Sequence, residues 1–183
     1  AMAEEIALTV DGRDVTVPDD GASLLDALRD RLGVRSVKDG CAPQGQCGCC
    51  TVLVDGQPRI ACVTPVKRVA GRSITTVDGL SDRDEWAEAF TACGGSQCGF
   101  CTPGIIVRLS AAAAKGDRDP DQALLAHLCR CTGWQTIEES FSQVLHRRID
   151  VESPVDGPPK NPSARRIDAA ARRATLEGHA AQQ

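Results

Sequence analysis

The 183 residues suffice for one domain or two small ones, and their apolar content, mostly Ala, Val, Leu and Ile, is that of a globular chain. Three Phe, two Trp and no Tyr leave little for stacking on bases, and a formal charge of −4 disfavours a polyanionic partner, so no nucleic acid is expected. No apolar run approaches the ~20 residues of a membrane span, and the N-terminus lacks the basic region and apolar core of a signal peptide. A cytoplasmic protein is expected, with Ala1 read as an addition ahead of a natural Met2.

Residues 5–17 alternate apolar and polar on both sides of Asp11-Gly12, which predicts two strands joined by a type I′ turn. Ser23 then caps a predicted helix "LLDALRDRL", whose Leu24, Leu25, Leu28 and Leu32 share one face. A cysteine-rich loop follows. After it come a strand at 51–54, a second Asp-Gly turn at 55–56, a strand through Ile60–Val63 and a short strand at 73–77. A small sheet with one helix packed across it predicts an α+β domain.

Beyond Gly79 the apolar period changes from two to 3.6. Trp86, Ala89, Phe90 and Cys93 form one stripe, and Ile105, Ile106, Leu109, Ala112 and Ala113 a second. Leu124 and Leu128 mark a third, short helix, and Ile137, Phe141, Val144 and Leu145 a fourth; together they predict a bundle. Thr102-Pro103 suits an N-cap followed by N1, and Thr132 or Thr136 suits the cap of the last helix. Residues 151–183 open on a proline-rich stretch without apolar period and hold five Lys/Arg against four Asp/Glu, where the rest of the chain holds 16 against 21. They read as an extended or disordered tail, or as a strap lying on a partner, with a weak helix near the end.

Ten cysteines without an export signal point to metal rather than disulfides. They form two groups: Cys41, Cys47, Cys49, Cys50 and Cys62, then Cys93, Cys98, Cys101, Cys129 and Cys131. In the second, "QCGFCTPG" and "CRCTGW" bring a C-x2-C pair and a C-x-C pair to breaks between predicted helices. Four thiolates from two such turns suit tetrahedral sulfur ligation of either zinc or an iron–sulfur cluster. Cys93 continues the stripe of Trp86, Ala89 and Phe90 and reads as core, and His127, His146 and His179 read as surface residues. The first group reads Cys41-x5-Cys47-x2-Cys50 with Cys62 further on, one residue longer in its first gap than the plant-type ferredoxin pattern. Pro43 and Gly45 offer room for the extra residue.

The order "GQCGCCTVLVDG", "ACVTP", "QCGFCTPG", "CRCTGW" resembles the small iron–sulfur subunit of the molybdenum hydroxylases, the family of xanthine dehydrogenase, aldehyde oxidoreductase and carbon monoxide dehydrogenase. The resemblance covers about residues 5–150. It implies a β-grasp plant-type ferredoxin domain over 1–79 and a four-helix bundle over 80–150, each holding one [2Fe–2S] cluster, with 151–183 as the tail. By match to the motifs, Cys41, Cys47, Cys50 and Cys62 bind the ferredoxin-type cluster, and Cys98, Cys101, Cys129 and Cys131 the helical one. Gln97 and Cys131 approach the molybdopterin of a large molybdenum-binding subunit, and the ferredoxin-type cluster faces FAD in a medium subunit. Cys49 fills a slot where the family carries a small residue, and so reads as a neighbour without an iron bond.

The implied work is electron relay inside a molybdenum-dependent oxidoreductase that is a hetero-oligomer, up to a dimer of heterotrimers. This chain supplies no catalytic acid, base or nucleophile, in keeping with the lack of His–carboxylate, Ser–His or phosphate-loop patterns in the sequence. Arg130, between two ligands, either raises the potential of the helical cluster or forms a surface ion pair. The competing readings are a free-standing ferredoxin-like carrier and a zinc-stabilised interaction module. Neither the substrate of the complex nor its final electron acceptor is written in this chain.

Overall fold

In the computed structural model, which describes residues 4–152, Asp11 and Gly12 both take positive φ, 48° and 78°, as a type I′ turn requires. They join β1 (Glu5–Val10) to β2 (Arg13–Pro18), with Ile6 opposite Val17. Asp55 and Gly56, at 49° and 75°, do the same between β3 (Thr51–Val54) and β4 (Gln57–Ile60). β5 (Ser73–Thr75) lies parallel to β1 and antiparallel to β3, so the sheet order is β2-β1-β5-β3-β4. The carboxylate of Asp11 also accepts from the Thr76 N–H and hydroxyl, both at 2.7 Å, tying the first hairpin to the exit from the sheet.

Ser23 caps α1 (Leu24–Asp26) in a reciprocal capping box with Asp26, and the chain continues through a wider π turn over Ala27–Arg31. Leu24, Leu25 and Leu28 are buried there against Val52, Ile74 and the inner face of β1, forming the first core. The strand expected through Val63 stops at Ile60. The Ala61 and Cys62 N–H groups turn inward to the Cys50 carbonyl (3.2 Å) and sulfur (3.4 Å), and residues Ala61–Val63 become a 3-10 turn.

The second half is helical. It comprises α2 (Arg83–Cys93), α3 (Thr102–Ala114), the single turn α4 (Asp121–Leu124) and α5 (Trp134–Glu152). Helix α2 packs along α5, with Trp86 stacked on Phe141 at 6.0 Å between centroids, whereas α3 lies against β3 and β4. The second core comprises Trp86, Phe90, Ile105, Leu109, Ile137 and Phe141. The third helix is shorter than its apolar spacing suggested: it ends at Leu124, and Leu128 is 61 % exposed because its N–H leaves the helical path for the Cys47 carbonyl at 3.0 Å. Cys101 takes the N-cap place of α3, which moves Thr102 one position into the helix. Neither predicted threonine caps α5: Thr132 turns its hydroxyl to the Cys129 sulfur, 3.2 Å away, and Thr136 lies inside the helix. Cys93 is only half-buried, at the seam of α2 and α5, where its thiol donates to Gln143 Oε1 at 3.0 Å. Helix α5 runs two residues into the predicted tail; the rest of the tail, with His179, lies outside the described residues.

Asp82 holds the α2–α5 pair at its base. It accepts from Arg148 Nη2 (2.7 Å), Trp86 Nε1 (2.8 Å) and Ser110 Oγ (2.9 Å), while the Arg148 guanidinium lies 5.8 Å from the Trp86 ring centroid. Burial alone would push this carboxyl up, and the bonds from Arg148, Trp86 and Ser110 outweigh it, holding it below the usual carboxylate range. A depressed folded-state value gives stability that is present above the unfolded value, about 3.9, and is lost as pH falls through the folded one. Asp82→Asn is therefore expected to lower stability by about 2 kcal/mol near neutral pH, with the gap to wild type closing in acid. Urea unfolding at several pH values reads this directly, and a gap unchanged in acid contradicts it.

Candidate metal centres

The two cysteine groups are held by different kinds of backbone. Cys41, Cys47 and Cys50 belong to the loop between α1 and β3, and Cys62 comes from the 3-10 turn after β4. Cys98 and Cys101 lie at the entry to α3, and Cys129 and Cys131 in the connection from α4 to α5. Within each group the thiols lie close enough to perturb one another: Cys41 and Cys47, Cys47 and Cys49, Cys50 and Cys62, Cys98 and Cys131, and Cys101 and Cys129. Among the described residues no three His, Cys, Asp or Glu side chains are drawn together as ligands of a single ion.

The surroundings divide these thiols. The N–H groups of Gln46, Gln44 and Cys47 aim at Cys41 and bring its thiol down to about 6. Cys98 is lowered by the Phe100 N–H and then by Cys131. At Cys129 burial acts upward, but the Thr132 hydroxyl with the N–H groups of Thr132 and Cys131 outweighs it, giving about 7. Cys50 and Cys101, buried beside other thiols, are pushed up to about 12. Four such groups cannot all be thiolates unless a cation offsets their charge, and amide N–H groups already aimed at the sulfurs suit thiolates bound to iron. The donor set therefore fits the metal–sulfur group expected of it.

The loop carrying the first group belongs to both cores. Cys50 and Cys62 are buried in the first, whereas Cys47 and Cys49 pack into the second beside Cys101. Two glycines permit this approach. A Cβ on Gly104, at the start of α3, would stand 2.3 Å from the Gly48 carbonyl oxygen and 3.0 Å from Cys49 Cα. A Cβ on Gly48 would stand 2.3 Å from the His127 ring.

His127, read from sequence as a surface residue, is 3 % exposed. The Thr51 hydroxyl gives its hydrogen to the Gly48 carbonyl (2.7 Å), so it accepts from His127 Nε2–H at 3.0 Å, and the ring is the Nε2–H tautomer. Burial, then Arg108, brings this imidazole down to about 4, so it is neutral at physiological pH. His146 is exposed as expected.

Comparison with known proteins agrees with this division. Residues 8–67 match the 2Fe-2S iron-sulfur cluster binding domain, and residues 76–142 match the [2Fe-2S] binding domain. The chain is 41 % identical over 143 residues to the nicotine 6-hydroxylase small subunit of Paenarthrobacter nicotinovorans, covering 74 % of this chain and 86 % of that one. It is 35 % identical over 150 residues to the gamma subunit of caffeine dehydrogenase from Pseudomonas sp. (strain CBB1), covering 76 % and 89 %. The chain belongs to the small iron–sulfur subunits of the molybdenum hydroxylases. A solved structure of quinoline 2-oxidoreductase from Pseudomonas putida 86 superimposes with a TM-score of 0.72 at 33 % identity, over 81 % of this chain and 98 % of that one. Other relatives are far longer. The chain spans 12 % of xanthine dehydrogenase from Drosophila pseudoobscura pseudoobscura and 16 % of aldehyde oxidoreductase from Megalodesulfovibrio gigas, at 40 % identity to each.

Against the plant-type ferredoxin pattern, this molybdenum hydroxylase subunit has one extra residue between Cys41 and Cys47, and the loop absorbs it by local backbone reversals. Ala42 takes φ +54° with its N–H on Asp39 Oδ1 (3.2 Å), and Gly45 takes φ +69°. Pro43, expected to help, lies between them. Cys49 is 5 % exposed; burial, then Cys47, pushes its thiol up to about 12, and Cys101 is a further neighbour. Through Cys49 and Cys101 the two groups touch. Gln97, Cys98, Arg130 and Cys131 are exposed along one rim, together with Phe100, 44 % exposed.

Proposed function

We propose that this subunit is the electron relay of a molybdenum hydroxylase complex, with one [2Fe–2S] cluster on Cys41, Cys47, Cys50 and Cys62 and the other on Cys98, Cys101, Cys129 and Cys131. The observation that carries the reading is the gathering of the thiols into two separate groups, in which backbone N–H groups aim at Cys41, Cys98 and Cys129, as thiolates bound to iron–sulfur clusters need. When bound, each cluster supplies a one-electron redox couple. The chain's own part is to present thiolates, to aim N–H groups at them, and to exclude water at the seam of Gly48, Cys49 and Gly104.

In this reading the residues divide into a β-grasp domain over 1–79 and a four-helix bundle over 80–150. Electrons enter from a molybdenum–pterin site in a large partner, on the exposed rim of Gln97 and Cys131, and leave toward FAD in a medium partner. The assembly is a hetero-oligomer, and its substrate is chosen in the large partner. Arg130, exposed on the same rim, is free to lie against that partner.

Iron analysis with low-temperature electron paramagnetic resonance tests the ligand sets. About four irons per chain and two distinct signals are expected. Cys50→Ser is expected to lose the signal of one cluster and Cys101→Ser that of the other, each with half of the iron. Cys49→Ser is expected to keep both, and loss of half the iron in that variant shows Cys49 to be a ligand. A colourless chain containing zinc refutes the relay.

A further inference from the structure

Residues 57–77 contain Arg59, Lys67, Arg68 and Arg72 and no acidic residue, in a chain whose net charge is −4. Three of these four cations border one cleft. Arg59, Arg68 and Arg72 stand around about 290 Å³ that is also lined by Thr64, Pro65 and the exposed Val63, with Val54 and Val69 buried beneath. Their positive charges are little offset within the chain. Lys67 is taken by Asp19 at 2.7 Å, and Arg72 reaches Asp55 only at 3.7 Å, where both side chains are half exposed. Arg59 donates to its neighbour's carbonyl on Pro58 (3.2 Å), and neither Arg59 nor Arg68 meets a carboxylate among the described residues. Like charges gathered around one cleft cost stability unless an anion from outside meets them.

The cleft borders the first thiol group. Val63 follows Cys62 directly, is 57 % exposed, and covers the cysteine loop so closely that a Cβ on Gly45 would stand 3.1 Å from it. Whatever fills the cleft therefore sits one residue from a proposed cluster ligand.

We propose that this cleft docks a carboxylate-rich segment of the flavin-bearing partner, whose Asp or Glu side chains pair with the arginines while an apolar neighbour packs on the exposed Val63. The identity of the partner rests on the relay reading above. A protein segment is favoured over a free phosphate because the guanidinium groups stand exposed on the rim beside the exposed, apolar Val63, where a phosphate site would offer converging polar donors.

The test measures binding of the iron-loaded chain to its co-expressed flavin-bearing subunit as a function of salt, for wild type, Arg59→Glu/Arg68→Glu and Arg59→Lys/Arg68→Lys. The charge-reversed pair is expected to bind at least about tenfold more weakly, with its iron content and visible spectrum unchanged, and wild-type affinity is expected to fall as salt rises. The lysine pair is expected to keep most of the affinity. Wild-type affinity in the iron-loaded, charge-reversed chain overturns this proposal and leaves the relay intact. Saturable binding of inorganic pyrophosphate to the isolated chain, lost in the same variant, overturns it in favour of a small-anion site. A chain without iron that no flavoprotein accompanies refutes the relay and this proposal together.

Discussion

Gly104→Ala is expected to cost about 3 kcal/mol of stability, the upper end of what overpacking does, although alanine is the better helix former by about 1 kcal/mol. The sign is decided by contact. The new methyl would stand 2.3 Å from the Gly48 carbonyl oxygen and 3.0 Å from Cys49 Cα, and both are backbone atoms that no rotamer change can move aside. Either α3 shifts along its axis or the cysteine loop leaves the second core. Gly116→Ala is the control: its φ of +82° strains any side chain, but nothing lies within 4 Å, so about 1 kcal/mol is expected. Urea unfolding of both variants separates the wedge from the strain. Equal costs remove the claim that close approach at Gly104 matters.

Trp86→Ala is expected to cost about 4 kcal/mol, in the range for aromatic truncation in a core. The ring is fully buried, stacks on Phe141, lies beneath Arg148, and its Nε1–H is one of the donors holding Asp82. Truncation leaves a void and one fewer donor on a half-buried carboxylate. Trp86→Phe keeps the stack and loses the donor, so a cost of about 1–2 kcal/mol is expected. It also leaves Trp134, 36 % exposed, as the only tryptophan and hence a fluorescence probe of the α5 start. A cost below about 1 kcal/mol for Trp86→Ala would place the weight of the α2–α5 contact elsewhere.

Much of this architecture was legible where the cause is local. Asp11-Gly12 and Asp55-Gly56 announce their turns because few other pairs tolerate two positive φ values, and Ser23 announces its cap because the capping bonds span three residues. The thiol groups were legible because motif spacing survives without any knowledge of packing. What escaped depends on partners far along the chain. His127 reads as a polar residue in a loop, and its burial is decided by the missing Cβ at Gly48 and the hydroxyl of Thr51. Leu128 keeps helical spacing from Leu124, but the Cys47 carbonyl captures its N–H. The strand expected through Val63 ends early because Cys50 draws Ala61 and Cys62 inward, a pull invisible in an alternating pattern. Cys93 lies on the right helical stripe at a place where α5 only half covers it.

The loop shared between the two cores also bears on how such a chain is made and recombined. Residues 41–50 leave the ribosome before Gly104, His127 and Leu128, yet those later residues supply the surface that covers Cys47 and Cys49. Until about residue 128 has emerged, the nascent first loop has an uncovered flank. Exchange of the helical half for that of a relative carries the same demand. A hybrid joined near Gly79 would match in sequence motif and still fail in fit unless the incoming half brings a residue without Cβ opposite Gly48 and a ring of the right size at position 127.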